Sequence, residues 1–350
     1  MSARPSRTVF PGDGNDPFVI AEIGVNHDGD PERAMELVDL AAGVGADAVK
    51  LQWFQASSLV SSSAGLVQYQ REQGEVDAAA MLRRLELEPG TMGSLLERAH
   101  ARGMAAIVTV FSHQHVGEAA AMDWDFFKTA STDLVNRPLL EALARDGRPL
   151  IISTGCSELE EISEALRWVA GRTTALLHCV SSYPTPPEHA ALAGIGVLAE
   201  SFPLPVGYSD HTGGWETGGL AVAAGATILE KHLTWSRSAP GPDHACSLEP
   251  EEFKRYVDHA RQARRMLGEH SKHVLPIEMA VREGARQSIV ACRDLHAGDV
   301  LVADDLATMR PGTGLRPALL PDLLGRRLVR DVEAGVLLEM DDLDPSEVRS

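Results

Sequence analysis

Three pairs of polar residues, Lys50/Gln52, Ser209/His211 and Glu230/His232, are spaced two apart at the ends of short apolar runs. In an extended strand, residues i and i+2 share a face, so each pair can present both side chains to one space. Glu22, Thr109, Lys128 and Ser153 close four further runs of the same kind. Lysines set among hydroxyls would form a positive pocket suited to a phosphate or carboxylate, held by charge-assisted hydrogen bonds. His211 and His232 lie at matching depth on adjacent runs. Either they bind one divalent ion through imidazole nitrogens or they are hydrogen-bonded core histidines, and spacing alone leaves both open. Asp210, Glu230 and Asp243 lie nearby as oxygen donors, which would favour an ion such as Mn²⁺ that keeps positions open for water. Other strings discriminate poorly. Cys156 and Cys179 follow or end apolar runs without a nucleophile signature, so both are expected to be small buried hydrophobes. Gly312 and Gly314 in RPGTGLRP are expected to shape a turn rather than cradle phosphate.

Something must hold these residues on one rim. From about Phe18 to Leu267 the chain alternates apolar runs with amphipathic stretches. The runs FVIAEIG, AVKLQWF, AAIVTVF, FFKTA, PLIISTG, TALLHCV, PVGYSDH and TILEKHL read as eight strands. Each is followed by a helical pattern, weakest in the Gly- and Ala-rich stretch Trp215 to Ala226. Strands alternating with helices imply βαβ units and a parallel sheet, and eight repeats over this length predict a (β/α)8 TIM barrel. In such a barrel the strand ends and the loops after them build the site. No GxGxxG follows the first run, which weighs against a doubly wound dinucleotide fold. Asp30-Pro31 reads as an N-cap followed by Pro at the first helical position. Phe253, Val257, Ala260, Ala263 and Leu267 form the apolar stripe expected of the last barrel helix. The stretch from Phe54 to Pro89 has no clear period and reads as a lid loop.

After Gly268 the composition shifts, giving an expected N-terminal extension (1–16), barrel (17–268), linker (269–285) and small mostly-β domain (286–350). A domain that small is near the lower limit for folding alone and is expected to lean on another surface. The chain has 350 residues and a formal charge of −18, which disfavours nucleic acid and anionic membranes as partners. No apolar run approaches membrane-spanning length, residues 1–7 lack a signal-peptide core, and four scattered cysteines include no CxxC. A soluble cytoplasmic protein with reduced thiols is expected.

The strings AEIGVNHDGD, KLQWF, STGCSELEEI, LLHCVSSYPTPPE, GYSDHTGG, LEKHLTWSRSAPGPDHACSLEPEEF and RPGTGL together resemble the sialic acid synthase family over residues 17 to 345. The resemblance implies a TIM barrel followed by an antifreeze-like (SAF) domain, in a domain-swapped homodimer. It also implies that phosphoenolpyruvate condenses with an open-chain N-acetylmannosamine-type aldehyde to give a nonulosonic acid, with release of phosphate. By motif, Glu22, Lys50, Gln52, Thr109, Lys128, Ser131, Ser153 and Ser209 would contact phosphoenolpyruvate or the nascent product. His211 and His232 would hold the metal, Mn²⁺ first, with Mg²⁺ or Co²⁺ as alternatives. Tyr183 and Asp243 would face the acceptor, and Arg310 would come from the small domain of the other protomer.

The chain departs from the family's usual strings in several places. KLQWF replaces KFQT, TVF replaces TPF, KTASTD replaces KIPSGD or KIGSGE, and LTWSR replaces FTLDR. Ser181 stands where an Asn precedes the Tyr of the YP motif. Several of these lie at or near acceptor positions, so the resemblance leaves the acceptor open, including phosphorylated or unusual sugars. Two other readings stay open: a Schiff base on a lysine, and a paralogue that binds sugar without catalysis.

Overall fold

The computed structural model describes residues 16–61, 65–66, 70–71 and 74–345. The expected N-terminal extension lies outside the described residues except for Asp16. Eight parallel strands form a closed barrel: β1 (Phe18–Gly24), β2 (Ala48–Trp53), β3 (Ala105–Val110), β4 (Phe126–Thr129), β5 (Leu150–Ser153), β6 (Thr174–Cys179), β7 (Val206–Asp210) and β8 (Ile228–His232). Closure comes from β1, which pairs with β2 on one side and β8 on the other. The barrel strands are therefore those read from the sequence.

Period-two alternation sorts their side chains into two apolar layers. Phe18, Ile20, Ala48, Ile107, Phe126, Ile151, Leu177 and Ile228 fill the barrel interior. Val19, Val49, Val108, Phe127, Ile152, Leu176, Tyr208 and Leu229 point outward against the helices. Further along the strands the inward positions turn polar at Glu22, Lys50, Thr109, Lys128, Ser153, Ser209 and Glu230, all buried. The apolar interior thus forms a plug beneath a polar upper layer.

The helices that cover the barrel are α1 (Pro31–Gly43), α2 (Ala56–Leu59), α3 (Ala78–Leu85), α4 (Pro89–Ala101), α5 (Val116–Ala120), α6 (Arg137–Asp146), α7 (Leu159–Trp168), α8 (Ala193–Ser201), α9 (Thr217–Ala223) and α10 (Pro250–Leu267). The Asp30 side chain caps α1 by accepting from the amides of Glu32 and Arg33, and Pro31 opens the helix. In α10 the buried face is Phe253, Tyr256, Val257 and Ala260. Leu267, expected in that stripe, is exposed, because the helix outruns the barrel surface at its last turn. The Gly-rich sequence of α9 reflects close packing. A Cβ on Gly218 would come within 2.8 Å of the Tyr256 ring, so glycine lets the two helices approach.

The stretch from Phe54 to Pro89 is not an unstructured loop. It contains α2 and α3, whose Met81 and Leu85 pack with Val25 and Phe54 in a separate apolar cluster. That cluster gives the two short helices the tertiary support that their lengths cannot supply.

The chain divides into two compact units, Met1–Gly268 and Glu269–Ser350. The second begins with an exposed stretch that includes α11 (Met279–Ala285), so part of the expected linker is helical. It continues with the antiparallel pair β9 (Ser288–Ala291) and β10 (Leu306–Met309), and with α12 (Leu320–Leu323). This unit has an apolar core of its own, including Ile289, Leu295, Leu301, Leu328, Leu338 and Leu343. Among the described residues, no helix is long and apolar enough to cross a membrane.

Candidate active site

The C-terminal ends of the strands open into a cavity of about 780 Å³. Lys50, Gln52, Thr109, Lys128, Ser131, Ser181, Tyr183, Ser209, His211, His232 and Asp243 all line it. They come from six strands and the loops that follow, so the fold gathers residues spread over nearly 200 positions of chain. Glu22 is fully buried, does not line the cavity, and pairs directly with Lys50, its partner in the strand register. Ser153 is fully buried and does not line the cavity, and its hydroxyl has no hydrogen-bond partner among the described residues. Arg310 is an exposed residue of the second unit, on the turn that contains Gly312.

The floor is a buried charge cluster. Glu230 Oε1 lies 3.0 Å from Lys128 Nζ and 3.3 Å from Lys50 Nζ, and accepts a 3.0 Å hydrogen bond from the Ser209 hydroxyl. Lys50 also donates to Thr109 Oγ1 at 3.2 Å. Burial pushes the Lys50 ammonium down, but the Glu22 and Glu230 carboxylates together hold it above its ordinary value. For Lys128 burial prevails over Glu230, and the nearby Lys50 charge adds to the downward shift. Burial pushes Glu230 up, yet the two ammonium groups reverse this and hold it well below the usual carboxylate range. Burial raises Glu22, with Lys50 opposing. The result is a buried cluster of two lysines and two carboxylates at the floor of the cavity.

One wall is built from hydroxyls. Ser131 Oγ accepts from the Gly155 amide at 3.2 Å. A Cβ on Gly155 would sit 2.4 Å from Ser181 Oγ and 2.8 Å from Ser131 Oγ, so only glycine allows both serines at this turn. Tyr183 stacks obliquely on His211, with ring centroids 4.1 Å apart.

The His211 and His232 rings lie 5.6 Å apart, centroid to centroid. His211 Nδ1 sits 3.0 Å from the Val180 carbonyl oxygen, which places a proton on Nδ1. Burial pushes His211 down, but the nearby Cys179 and the Val180 carbonyl reverse this and hold it above its ordinary value. Burial, reinforced by His211 and Lys50, pushes His232 well below its ordinary value and keeps it neutral. Its Nδ1 is buried without a hydrogen-bond partner among the described residues and lies 3.9 Å from Asp243 Oδ2. Burial, followed by the Glu22 charge, raises Asp243 to about 6. Among the described residues, no three metal-type side chains are already gathered as a ligand cluster. Two adjacent imidazoles, one of them neutral with an orphaned nitrogen, nonetheless fit a divalent ion that keeps most of its positions for water or substrate oxygen.

Several expectations need correction. Asp210 is not an oxygen donor to this site. It points outward from β7 and pairs with the buried Lys231 at 3.2 Å, as strand alternation requires between the inward Ser209 and His211. Glu230 serves the lysines rather than the histidines. Cys156 is exposed, not buried, and lines the cavity from a left-handed backbone position at φ +57°. Cys179 is buried as expected, but its Sγ lies 3.7 Å from His211 Nδ1 rather than in an apolar core. Sequence reasoning also missed Phe111 and Ser182 on the cavity wall. For Phe111 the only signal was its place just beyond a strand end.

A family model described as the NeuB family matches residues 37–272, and a SAF domain model matches residues 286–344. The chain is 38% identical to the N,N'-diacetyllegionaminic acid synthase of Legionella pneumophila, covering 93% of this chain and 94% of that one. It is 32% identical to human N-acetylneuraminate-9-phosphate synthase, covering 95% of each. The crystal structure of the N-acetylneuraminic acid (sialic acid) synthetase of Leptospira borgpetersenii, in complex with citrate, superposes with a TM-score of 0.71 at 32% identity, covering 76% of this chain and 90% of that one. With two models matched in order and relatives aligned over nearly their whole lengths, the chain belongs to the NeuB family of sialic acid synthases and carries a C-terminal SAF domain.

Proposed function

We propose that this chain is an enzyme that condenses phosphoenolpyruvate with the open-chain aldehyde of an N-acetylmannosamine-like amino sugar, forming a nonulosonic acid. The observation that carries the reading is the convergence of Lys50 and Lys128 on one cavity floor, beside a wall of hydroxyls and two adjacent imidazoles. Carbon 3 of the enol attacks the aldehyde carbon. Water adds to the resulting cation at carbon 2, and the tetrahedral adduct breaks its carbon–oxygen bond to release inorganic phosphate and leave a keto acid.

Lys50 and Lys128 offset the phosphate and carboxylate charge throughout, with Thr109, Ser131 and Ser209 as neighbouring donors. Glu22, raised by burial and in contact with Lys50, would take the proton of the attacking water. Ser153 presents an unused buried hydroxyl next to this layer. Tyr183, Ser181 and Asp243, which line the cavity, would contact the acceptor, and Gln52 would contact phosphoenolpyruvate or the nascent product. His211 and His232 would hold a divalent ion, Mn²⁺ first among candidates, which when bound supplies Lewis acidity toward the aldehyde oxygen. The resemblance also supports a homodimer in which Arg310 of one protomer completes the cavity of the other. Mixing Arg310→Ala chains with Lys128→Ala chains tests that arrangement, because only completion in trans restores activity.

The test of the function is phosphate release from phosphoenolpyruvate across a panel of free and phosphorylated N-acetylated amino sugars, with and without Mn²⁺. Release with at least one sugar supports the synthase and identifies the acceptor. Sugar binding without release for any member would favour a binding paralogue.

A further inference from the structure

Behind the two histidines, on the outer face of the barrel, lies a fully buried ion pair. Asp210 and Lys231 are direct partners in the β7–β8 register, so His211 and His232 are the residues that follow each of them. Lys231 Nζ sits 3.2 Å from Asp210 Oδ2, and both side chains are wholly excluded from solvent. The same ammonium donates to the Thr212 carbonyl oxygen. Thr212 in turn donates to Asp210 Oδ1 from its amide and its hydroxyl, each at 2.8 Å. Lys231 thus holds the residues on both sides of His211 while itself directly preceding His232.

This pair lies on the outer face of the barrel, in the layer whose buried residues include Tyr208, Leu229 and Tyr256, with Lys231 Nζ 5.8 Å from the centre of the Tyr256 ring. A buried ion pair loses the hydration of two charges, and well-packed apolar residues of similar volume are often as stabilising or more so. Stability therefore does not account for it. A salt bridge braced by three hydrogen bonds supplies direction instead, fixing how far and at what angle two adjacent strand ends stand from each other. Lys231 does not line the cavity, so it cannot touch substrate itself.

We propose that Asp210 and Lys231 are positioning residues that set the spacing of the His211 and His232 imidazoles. The inference rests on the reading of those histidines as holders of a divalent ion. Its test uses the full chain and Mn²⁺ alone, with free Mn²⁺ followed by electron paramagnetic resonance, alongside thermal unfolding and steady-state kinetics. Two variants are compared with the parent: Asp210→Asn, and the apolar replacement Asp210→Leu with Lys231→Met. The expected result is a double variant whose unfolding midpoint stays within about 3 °C of the parent while its Mn²⁺ affinity falls roughly tenfold or more. Its KM for phosphoenolpyruvate should be little changed. Asp210→Asn should lie between. Parent-like Mn²⁺ affinity in a folded double variant would overturn the positioning role alone. Failure of both variants to fold would also overturn it, by making the pair a stability element. A parent that binds no Mn²⁺ would instead remove the metal reading of the histidines on which the inference stands.

Discussion

Lys128 Nζ lies 3.0 Å from Glu230 Oε1 at the buried floor of the cavity, and burial nevertheless lowers Lys128 below its ordinary value. The carboxylate therefore acts against desolvation to keep the lysine charged. Replacing it by the isosteric amide in Glu230→Gln removes that support while leaving a group of the same size. Lys128 should then lose its proton at lower pH. The alkaline limb of kcat/KM for phosphoenolpyruvate is expected to move downward by about one pH unit or more. An unchanged limb would mean that Lys128 is not the group whose charge is required.

Lys50 is held above its ordinary value by Glu22 and Glu230, so it is an ammonium rather than a free amine at neutral pH. Lys128 is tied to Glu230 by an ion pair. Lys50 is thus disfavoured as a carbonyl-attacking nucleophile, while burial lowers Lys128 against its ion pair and makes it the residue on which the test turns. Borohydride added during turnover should leave no reduced adduct on either residue by mass spectrometry. An adduct at one of them would replace the enol-addition mechanism with an aldolase-like one.

On the proposed function, the metal belongs to His211 and His232 and phosphoenolpyruvate to Lys50 and Lys128, which makes the two ends separable by experiment. His211→Ala and His232→Ala should each lose turnover that excess Mn²⁺ restores poorly. Chelation of the parent should abolish phosphate release yet change the calorimetric affinity for phosphoenolpyruvate less than about threefold, because Lys50 and Lys128 remain in place. Full turnover in excess chelator would exclude a metal role for the histidines.

The same register that brought the histidines together shows what the sequence made legible. Eight strands and the inward placement of Glu22, Lys50, Thr109, Lys128 and Glu230 follow from strand alternation, a local property. Asp210 was misplaced as a donor although alternation between Ser209 and His211 already turned it outward. Helices α2 and α3 escaped notice because they are short and depend on the cluster of Val25, Phe54, Met81 and Leu85. The glycines of α9 looked like a weak helix because propensity does not register the Tyr256 ring that requires them. Cys156 gave no sign of exposure, since the left-handed turn that presents it arises from how the chain leaves β5.

Asp133 follows the Ser131 turn, and burial raises its carboxyl to about 6. One of its oxygens is buried without a hydrogen bond among the described residues. A folded-state value above the unfolded one means that the protonated form is favoured by folding. The folded state therefore has the advantage of a neutral Asp133 below about pH 4 and loses it as pH rises through about 6. Asp133→Asn should raise stability at pH 7.5 by roughly 1–2 kcal/mol, after allowance for partial exposure. The difference from the parent should shrink toward zero near pH 4. A pH-independent gain in chemical denaturation would show that packing, not charge, is responsible.

The four cysteines provide an internal map of cavity access. Cys156 lines the cavity and is exposed, Cys292 is exposed in the second unit, and Cys179 and Cys246 are buried. Burial also raises the Cys246 thiol far above its ordinary value, which suppresses its thiolate further. Under native conditions, iodoacetamide should modify Cys156 and Cys292 at least about tenfold faster than Cys246, which must await local opening. Cys179 is also buried, but His211 outweighs burial and draws its thiol down to about 7. Alkylation of Cys156 adds bulk at the cavity wall, so activity should fall in step with its modification and not with that of Cys292. Cys156→Ser should keep its activity under the reagent. Phosphoenolpyruvate together with a productive acceptor should slow labelling at Cys156 and leave the rate at Cys292 unchanged. Equal protection at both positions would point to a global tightening of the chain, whereas no protection at Cys156 would place the bound substrates away from this wall.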